Sequence, residues 1–200
     1  MSQTTNTVTQ VLGSSWNIDG LTIKNRFVLS PMAVLRPTKE GHPSEQSIAF
    51  LTRRAQGGAG LLITGGGTAT VRGNDEAPFS PSMRFDHDRY IPELKRMVEA
   101  VHAYGTPIFA QIFPSFGAMG VPAEGRPTRA ASPKPVRMAA PRLPNGLFIP
   151  GGRTMPTPQE ITKEEILEVQ RETLASVLRA KEAGFDGIEL GAHMRYLYSS

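Results

Sequence analysis

The sequence has 200 residues, 39% hydrophobic and 20% charged, which suffices for one globular domain with a core and argues against disorder. It has no cysteine, which excludes disulfides, thiolate zinc sites and cysteine nucleophiles within the chain and suits a cytoplasmic location. The formal charge of +4 is spread along the chain, the first ten residues lack the features of a secretory signal, and no apolar run reaches the roughly 20 residues that span a bilayer, so neither nucleic acid nor membrane is an expected partner.

Residues 1–24 are predicted to form an N-terminal arm and a small hairpin. The pair Asp19-Gly20 separates two short strand-like runs, and Asp-Gly is favoured in two-residue type I′ turns. The apolar run "RFVLSPM" follows and contains Pro31 near its end. A short apolar run bounded by charged residues and proline is typical of a buried strand, so this run is predicted to be the first core strand.

Three helix-strand units follow. The first, "SEQSIAFLTRRAQGG", offers Ser44 as an N-cap and leads into the strand "AGLLITGGG". The second, "DRYIPELKRMVEAVHAYG", tolerates Pro92 in its first turn and leads into "TPIFAQIF". The third, "TKEEILEVQRETLASVLRAKEAG", has a capping box of Thr162 and Glu165 and leads into "FDGIEL". The positions predicted to face the core share helical spacing: Ile48, Leu51, Ala55, Ile91, Leu94, Val98, Val101, Ile166, Val169, Thr173 and Val177.

Short apolar strands separated by amphipathic helices predict parallel β/α units, because parallel neighbours need a crossover. Two architectures fit, a doubly wound open sheet and a β/α barrel. Both place ligands at the carboxyl ends of the strands, which directs attention to the loops after Met32, Thr64, Gln111 and Leu190. The loop 114–159 is rich in proline and glycine and has no clear helix, so it is expected to be functional or mobile.

The stretch "TGGGTATVRG" follows the second core strand. Consecutive glycines let the backbone approach a flat or phosphorylated ligand, although a tight connection without a ligand fits equally well. The stretch is neither a P-loop nor a dinucleotide fingerprint, since the motifs are absent and the residues through Pro78 and Pro81 are not expected to open a helix. After the first strand, "SPMA" on its own indicates a strand terminator.

Two side chains near strand ends could bind a ligand or take part in catalysis. Gln111 could pair with the edge of a heterocycle or satisfy neighbouring backbone groups. Tyr196, with an ordinary pKa of about 10, could act as a general acid or simply pack. Glu189 is expected to be a satisfied buried carboxylate. No metal site is predicted, because the histidines are dispersed: His42, His87, His102 and His193.

Taken together, these motifs resemble the Old Yellow Enzyme family, in the branch of NADH:flavin oxidoreductases and 2,4-dienoyl-CoA reductase-like proteins. The resemblance is carried by "LTIKNRFVLSPMA", "ITGGGTA", "IFAQI" and "ITKEEI…AKEAGFDGIEL", in the family's order, from Leu21 to the last residue. It implies a (β/α)8 TIM barrel with FMN at its mouth and a hairpin closing the other end. The chain would supply that hairpin and about the first four β/α units of a single FMN-binding domain.

The resemblance also implies a reaction and a site. NAD(P)H would reduce FMN, and a hydride would then pass to the β-carbon of an activated alkene while a tyrosine protonates the α-carbon. Tyr196 would be that proton donor. The cofactor would be contacted by residues at three strand ends: Pro31, Met32, Ala33, Gly66 and Gln111.

The sequence departs from the family pattern at three places. Ala33 stands where Thr or Cys often tunes the flavin, and "QIFP" replaces the start of the common QLxHxGR. Ungapped alignment to E-[IV]-H-x-A-[HN]-G-Y places Gly191 and Met194 at the two carbonyl-binding positions, whereas a gap brings His193 onto the second. His193 is therefore the predicted substrate-binding residue. The variation favours an enoyl or dienoyl thioester, or a bulky enone, as the alkene substrate.

The family's phosphate-binding loops follow its seventh and eighth strands, so the chain is expected to be the first half of a longer enzyme or one of two complementing halves. A C-terminal half barrel or a second copy is the expected protein partner. A 4Fe-4S cluster and FAD are expected only if further domains follow. Two alternatives stay open: a catalytically silent half barrel that serves as an assembly module, and a flavin-free barrel enzyme such as an aldolase. The aldolase is the weaker, because no lysine immediately follows a core strand.

Overall fold

The computed structural model describes residues 2–32, 36–77, 81–123, 125–138, 152 and 154–200, with side chains from residue 8 onward. The helices, in chain order, are α1 (Ser2–Gly13), α2 (Glu45–Gln56), α3 (Val71–Asp75), α4 (Ile91–His102) and α5 (Lys163–Glu182). The strands are β1 (Trp16–Ile18), β2 (Leu21–Ile23), β3 (Val28–Leu29), β4 (Leu61–Ile63), β5 (Gly67–Thr68), β6 (Met83–Arg84), β7 (Ile108–Phe113), β8 (Arg129–Ala130), β9 (Gln159–Glu160) and β10 (Gly187–Leu190).

The predicted hairpin forms from β1 and β2. Asp19 and Gly20 both have positive φ, 47° and 88°, as a type I′ turn requires. Lys24 Nζ donates to Thr106 Oγ1 at 2.9 Å, and Asn25 Nδ2 donates to Gly58 O at 2.7 Å. These two acceptors lie just before β7 and β4, so the segment after the hairpin is attached at the amino ends of the core strands.

Helix α1 was not expected from its polar composition. Serine, threonine and asparagine have modest helix propensity, and the segment reads as an arm on that basis. The signal for a helix is the spacing of Val8, Val11 and Leu12, which puts three apolar residues on one face. These side chains are exposed, so within the described residues α1 adds little apolar burial.

Within the described residues, one parallel sheet contains six strands. Strand β7 is central, because it pairs with β4, β5 and β10, while β3 extends the sheet beyond β4 and β6 extends it beyond β5. The β7–β10 register sets Gln111 opposite Glu189. The predicted parallel β/α arrangement is thereby confirmed, with the carboxyl ends of the strands on one side.

The main helices begin and end where the sequence predicts. Ser44 caps α2 by accepting from Ser47 N at 3.2 Å, and Gly58 follows its end with φ 92°. Pro92 lies in the first turn of α4. The predicted capping box opens α5: Thr162 N donates to Glu165 Oε2 at 2.9 Å and Thr162 Oγ1 accepts from Glu165 N at 3.2 Å.

The principal core lies between the sheet and these helices. Its fully buried side chains come from α2, α4, β4 and β7, and each large one contributes about 1.5–3 kcal/mol by leaving water. They include Leu51, Leu62, Leu94, Met97, Val101, Ile108 and Ile112.

One local expectation is wrong, and another holds only in part. The glycine stretch does open a helix, since α3 begins directly after Thr70, whose Oγ1 accepts from Gly73 N at 2.8 Å. On α5, the predicted Ile166 is 40% exposed, while the predicted Thr173 is buried together with Ser176 and Ala180, and the predicted Val177 packs partly buried against the core. A polar contact accompanies this rotation: Ser176 Oγ donates to Ala69 O at 2.6 Å.

The long loop 114–159 contains one short strand, β8, that pairs with β9 at the end of the loop. Strands β8 and β9 are parallel, with Arg129 opposite Gln159. Residues 139–151 and 153 lie outside the described part of the chain, as does Ala33. Across the described residues, no helix combines the length and apolar character needed to cross a bilayer.

Candidate active site

A cavity of about 500 Å³ lies at the carboxyl ends of the core strands, within the usual range for small-molecule sites. It brings together residues from the ends of β3, β4, β7 and β10 that are distant in sequence. The predicted site residues among its lining are Pro31, Gly66, Gln111, His193 and Tyr196.

Met32 is not among the described residues that line this cavity. Met32 is largely exposed and lines a separate narrow crevice beside Phe50 and Ile63. Ala33 is outside the described residues. Among the described residues, the structure therefore gathers the predicted residues from β4, β7 and the segment after β10, together with Pro31 but not Met32 from the segment after β3.

Gln111 is held by two hydrogen bonds. Its backbone N donates to Thr64 Oγ1 at 3.1 Å, and its side-chain Nε2 donates to Glu189 Oε1 at 2.6 Å. Because Glu189 engages the amide nitrogen, the amide oxygen of Gln111 remains as an acceptor for which the described residues show no donor. That acceptor suits the N–H of a heterocycle edge. Glu189 was expected to be buried and satisfied, but it is only partly buried and lines the cavity, with Oε1 accepting from Gln111.

Phe113, which sequence reasoning did not single out, fills the space between two glycines. A Cβ on Gly66 would lie 1.9 Å from Phe113 Cζ, and a Cβ on Gly191 would lie 2.1 Å from Phe113 Cδ1. Similarly, a Cβ on Gly67 would lie 2.4 Å from a ring carbon of Phe85. Glycine is thus required at these positions because neighbouring aromatic rings occupy the space of a side chain, whether or not a ligand is bound. The sequence did offer one signal for Phe113. It is the last residue of the predicted strand that also carries Gln111, so its side chain was placed near the predicted site.

Tyr196 is 4% exposed and packs in an aromatic cluster. Its ring centroid is 5.1 Å from that of Phe113, 5.0 Å from Phe116 and 5.2 Å from His193. Burial raises the pKa of the Tyr196 phenol, which keeps the hydroxyl protonated at neutral pH. The hydroxyl has a weak acceptor, Met194 Sδ, at 4.0 Å.

A strained turn delivers Tyr196 to the cavity. Met194 and Arg195 both have left-handed φ values, 53° and 57°, which side chains other than glycine seldom adopt. Such strain collects at functional sites, where the surrounding structure enforces it. His193 precedes this turn, is exposed, and presents its ring to the cavity beside Phe113, at a centroid distance of 6.2 Å.

The cavity is mainly apolar. Among the described lining residues, Glu189 and His193 are the ionisable ones besides Tyr196, and neither lysine nor arginine takes part. This lining fits a neutral heterocyclic ring better than a phosphate. No group of three His, Asp or Glu residues in the described part of the chain is placed to hold a metal ion.

A sequence model of the family described as "NADH:flavin oxidoreductase / NADH oxidase family" matches residues 16–200. The chain is 36% identical over 194 residues to a cinnamate reductase of Clostridium sporogenes, covering 94% of this chain and 27% of that protein. It is 35% identical over 189 residues to a metal reductase of Desulforamulus reducens, covering 94% and 25%. It is 32% identical over 187 residues to an NADPH dehydrogenase of Listeria monocytogenes, covering 93% and 49%.

Solved structures agree with these relatives. An old yellow enzyme homologue from Zymomonas mobilis superposes with a TM-score of 0.74 at 26% identity, covering 93% of this chain and 49% of that one. Morphinone reductase gives a TM-score of 0.74 at 23% identity with the same coverage. The chain spans from a quarter to about half of the length of these proteins. Its fold is that of one half of a β/α barrel, which decides between the two architectures that the sequence left open.

Proposed function

Because this chain belongs to the NADH:flavin oxidoreductase / NADH oxidase family, we propose that it forms half of the catalytic barrel of an FMN-dependent enzyme that reduces activated C=C bonds with NAD(P)H. The observation that carries the proposal is the meeting of Gln111 and Tyr196 at one apolar cavity, although 85 positions separate them in the sequence. The proposed reaction needs an amide to bind the heterocycle of the cofactor and a phenol to donate a proton.

The proposed cofactor fits the lining in part. When bound, FMN supplies hydride transfer, accepting a hydride from NAD(P)H and giving it to the β-carbon of the alkene. Gln111 would accept a hydrogen bond from the heterocycle edge, while Pro31 and Gly66 would flank the ring. The phosphate would have to be held by residues other than those described around this cavity. The proposal includes neither a 4Fe-4S cluster nor FAD, which the family match does not require.

Tyr196 is proposed to protonate the α-carbon. One hydride and one proton together reduce the double bond, so the protein must provide an acid that is still protonated at working pH. Burial raises the pKa of Tyr196 and meets this requirement. The aromatic contacts with Phe113 and Phe116 restrict the Tyr196 ring. A general acid has to be held in a fixed position relative to its substrate.

An enone, or an enoyl or dienoyl thioester, is the proposed substrate class. His193 offers a hydrogen-bond donor for the activating carbonyl group, and the rings of Phe113 and Phe116, tilted by 60° to each other, provide apolar surface for the rest of the molecule. A relative named cinnamate reductase supports an alkene conjugated to a carbonyl group. Other relatives have different names, including metal reductase, so the substrate rests on the site and on the resemblance together.

We also propose that the remaining β/α units of the barrel cover the exposed edges of this half. Leu190 on β10 is 50% exposed, and Val28 on β3 is 44% exposed, although both lie on core strands. Helix α5 exposes Leu167, Leu174 and Leu178. Apolar side chains at sheet edges and on one helix face are what further β/α units would bury.

The function is tested on the full-length protein that contains this chain. It should bind FMN, and anaerobic mixing with NADH or NADPH should bleach the flavin absorbance, which an enone or enoyl thioester should then restore. A protein that cannot be reconstituted with FMN would contradict the proposal. Bleaching that no alkene reverses would limit the function to flavin reduction. Oligomers without either reaction would favour the assembly module instead.

A further inference from the structure

A buried carboxylate lies behind the wall of the cavity. Glu76, at the end of α3, is 2% exposed, and both of its oxygens are engaged. Ser115 Oγ donates to Oε2 at 2.7 Å, and Arg72 Nε donates to Oε1 at 2.7 Å. Neither Glu76 nor Ser115 is among the described residues that line the cavity, so neither can touch a substrate there.

Ser115 connects this carboxylate to the backbone around Tyr196. Its Oγ accepts from Gly117 N at 3.2 Å, and its backbone oxygen accepts from Leu197 N at 3.3 Å. Gly117 has φ 53°, and a Cβ there would lie 2.7 Å from Leu197 N. The segment 115–117 is therefore pressed directly against the main chain that carries the tyrosine.

The same segment is anchored a second time by Glu76. Val121 N donates to the backbone oxygen of Glu76 at 2.9 Å, so one residue holds both ends of the segment 115–121. Within that segment, Phe116 packs edge-on against the Tyr196 ring at an interplanar angle of 78°. Arg72 extends the anchor by donating to Pro127 O at 3.2 Å.

From these contacts we propose that Glu76 is a positioning residue for Tyr196, acting through Ser115 to fix the wall against which the phenol packs. The inference rests on the proposed role of Tyr196 as the proton donor. Glu76 does not touch the reacting atoms. Removing the link would let the phenol and the segment 115–121 move relative to each other while the cofactor-facing residues stay in place.

The first test compares the two half-reactions of the full-length holoenzyme. Ser115→Ala, which removes only the linking hydroxyl, should slow alkene-dependent reoxidation about tenfold, within the ~100-fold that a misplacement of about 1 Å can cause. Reduction by NAD(P)H should be unchanged. Glu76→Gln should act in the same direction, and Asp75→Asn, on the same helix but in an exposed ion pair with Arg126, is the matched control.

A double substitution separates positioning from general stability. In a Tyr196→Phe background, Ser115→Ala should have no further effect on alkene reduction, because the group that it positions is gone. An additional tenfold loss in that background would overturn the inference. Equal slowing of both half-reactions by Ser115→Ala would also overturn it.

A measurement without turnover keeps this inference apart from the proposed function. Titration of ¹³C-tyrosine-labelled protein, with Tyr196 assigned through Tyr196→Phe, should show the Tyr196 phenol titrating above about 10. Ser115→Ala should move its pKa back toward the ordinary value by admitting water, and Asp75→Asn should not. If this shift occurs in a protein that reduces no alkene, the positioning stands and the proposed function fails. If the protein reduces alkenes but Ser115→Ala changes neither the pKa of Tyr196 nor the rate of alkene reduction, the positioning role is wrong.

Discussion

The ring of Phe113 occupies the place that a side chain at Gly191 would need, since a Cβ on Gly191 would lie 2.1 Å from Phe113 Cδ1. Gly66 makes the same contact on another side of the ring. In the ungapped alignment to the family pattern, Gly191 takes one of the two carbonyl-binding positions. Gly191 and Phe113 form one structural feature, which gives the cavity an aromatic wall at this point.

This relationship predicts strong coupling between the two positions. Gly191→Ala should destabilise the protein by about 1–3 kcal/mol, the usual cost of overpacking. Phe113→Ala should cost about 3–5 kcal/mol by leaving a cavity. The double variant should lose clearly less than the sum, because the methyl group then enters vacated space. Urea unfolding measures all three, Gly13→Ala with its open surroundings is the control, and additive losses would contradict the packing.

Tyr196→Phe should separate the two half-reactions. Removing the phenol hydroxyl should slow alkene reduction about 10²–10⁴-fold, the usual contribution of a general acid, and should leave flavin reduction by NAD(P)H intact. Anaerobic stopped-flow absorbance measures the two steps separately. Equal loss in both would show that Tyr196 supports the fold of the site and is not its acid.

The same residue predicts an alkaline limit. Because burial raises the pKa of Tyr196 above the ordinary value of about 10, the rate of alkene reduction should fall at a higher pH than an ordinary tyrosine would give. Stability follows the same sign: the folded state holds this proton more tightly than the unfolded state, so its contribution is complete below about pH 10 and is lost at higher pH. If the rate of alkene reduction falls between pH 7 and 9, and falls in the same range in Tyr196→Phe, then Tyr196 is not the titrating acid.

His193→Ala should raise KM for the alkene and leave NAD(P)H-dependent flavin reduction unchanged. The side chain is exposed, so the free energy of unfolding should change by no more than about 0.5 kcal/mol. His193→Asn keeps a donor and should restore part of the affinity. If both variants bind the alkene as the wild type does, the carbonyl group is held by another residue.

Features that depend on a few neighbouring residues could be predicted from the sequence. The caps at Ser44 and Thr162 and the turn at Asp19-Gly20 satisfy backbone groups within three residues, so the sequence pattern alone determines them. The burial of α5 could not be predicted in this way. Ile166 has the right spacing for a core position, but the face that turns inward depends on what the sheet presents, here Ala69 O to Ser176.

In the candidate site, too, some residues could be predicted from the sequence and others could not. Gln111 and Tyr196 could be singled out because each has suitable chemistry near a strand end. Their surroundings could not, since the Gln111–Glu189 bond joins residues 78 positions apart and exists only in one strand register. Glu76 and Ser115 read as ordinary loop residues in sequence, and they become informative only when the fold brings them behind Tyr196.

Glu165 predicts an acid-sensitive contribution to stability. Burial alone would raise its pKa, but the Thr162 backbone N–H and the Arg129 and Arg72 guanidiniums outweigh it and hold the pKa below the usual range. The contribution is present above the unfolded value of about 4.3 and is lost as pH falls through the folded pKa. Glu165→Gln should thus be less stable than the wild type at pH 7, and the difference should shrink below about pH 4. Urea unfolding across pH checks this, with Glu164→Gln as the control that removes a charge from the same turn; a difference independent of pH would contradict it.

The exposed leucines of α5 give a test of what surrounds this half barrel in the full-length protein. Leu174 and Leu178 are 60% and 56% exposed here, so replacing both by glutamine should cost within about 0.5 kcal/mol each if they remain in water. If further β/α units cover them, as proposed, each substitution buries a polar group in an apolar contact and should cost about 1–3 kcal/mol.

Urea unfolding of the full-length protein distinguishes these outcomes, and Val8→Gln, at 56% exposure on α1, is the control for a general effect of added polarity. The proposal expects a large loss for the α5 pair, a small one for Val8, and a parallel fall in FMN occupancy, because the proposed FMN site is completed by residues of the other half. Small losses at all three positions would mean that the α5 face stays open to solvent and that the covering units lie elsewhere.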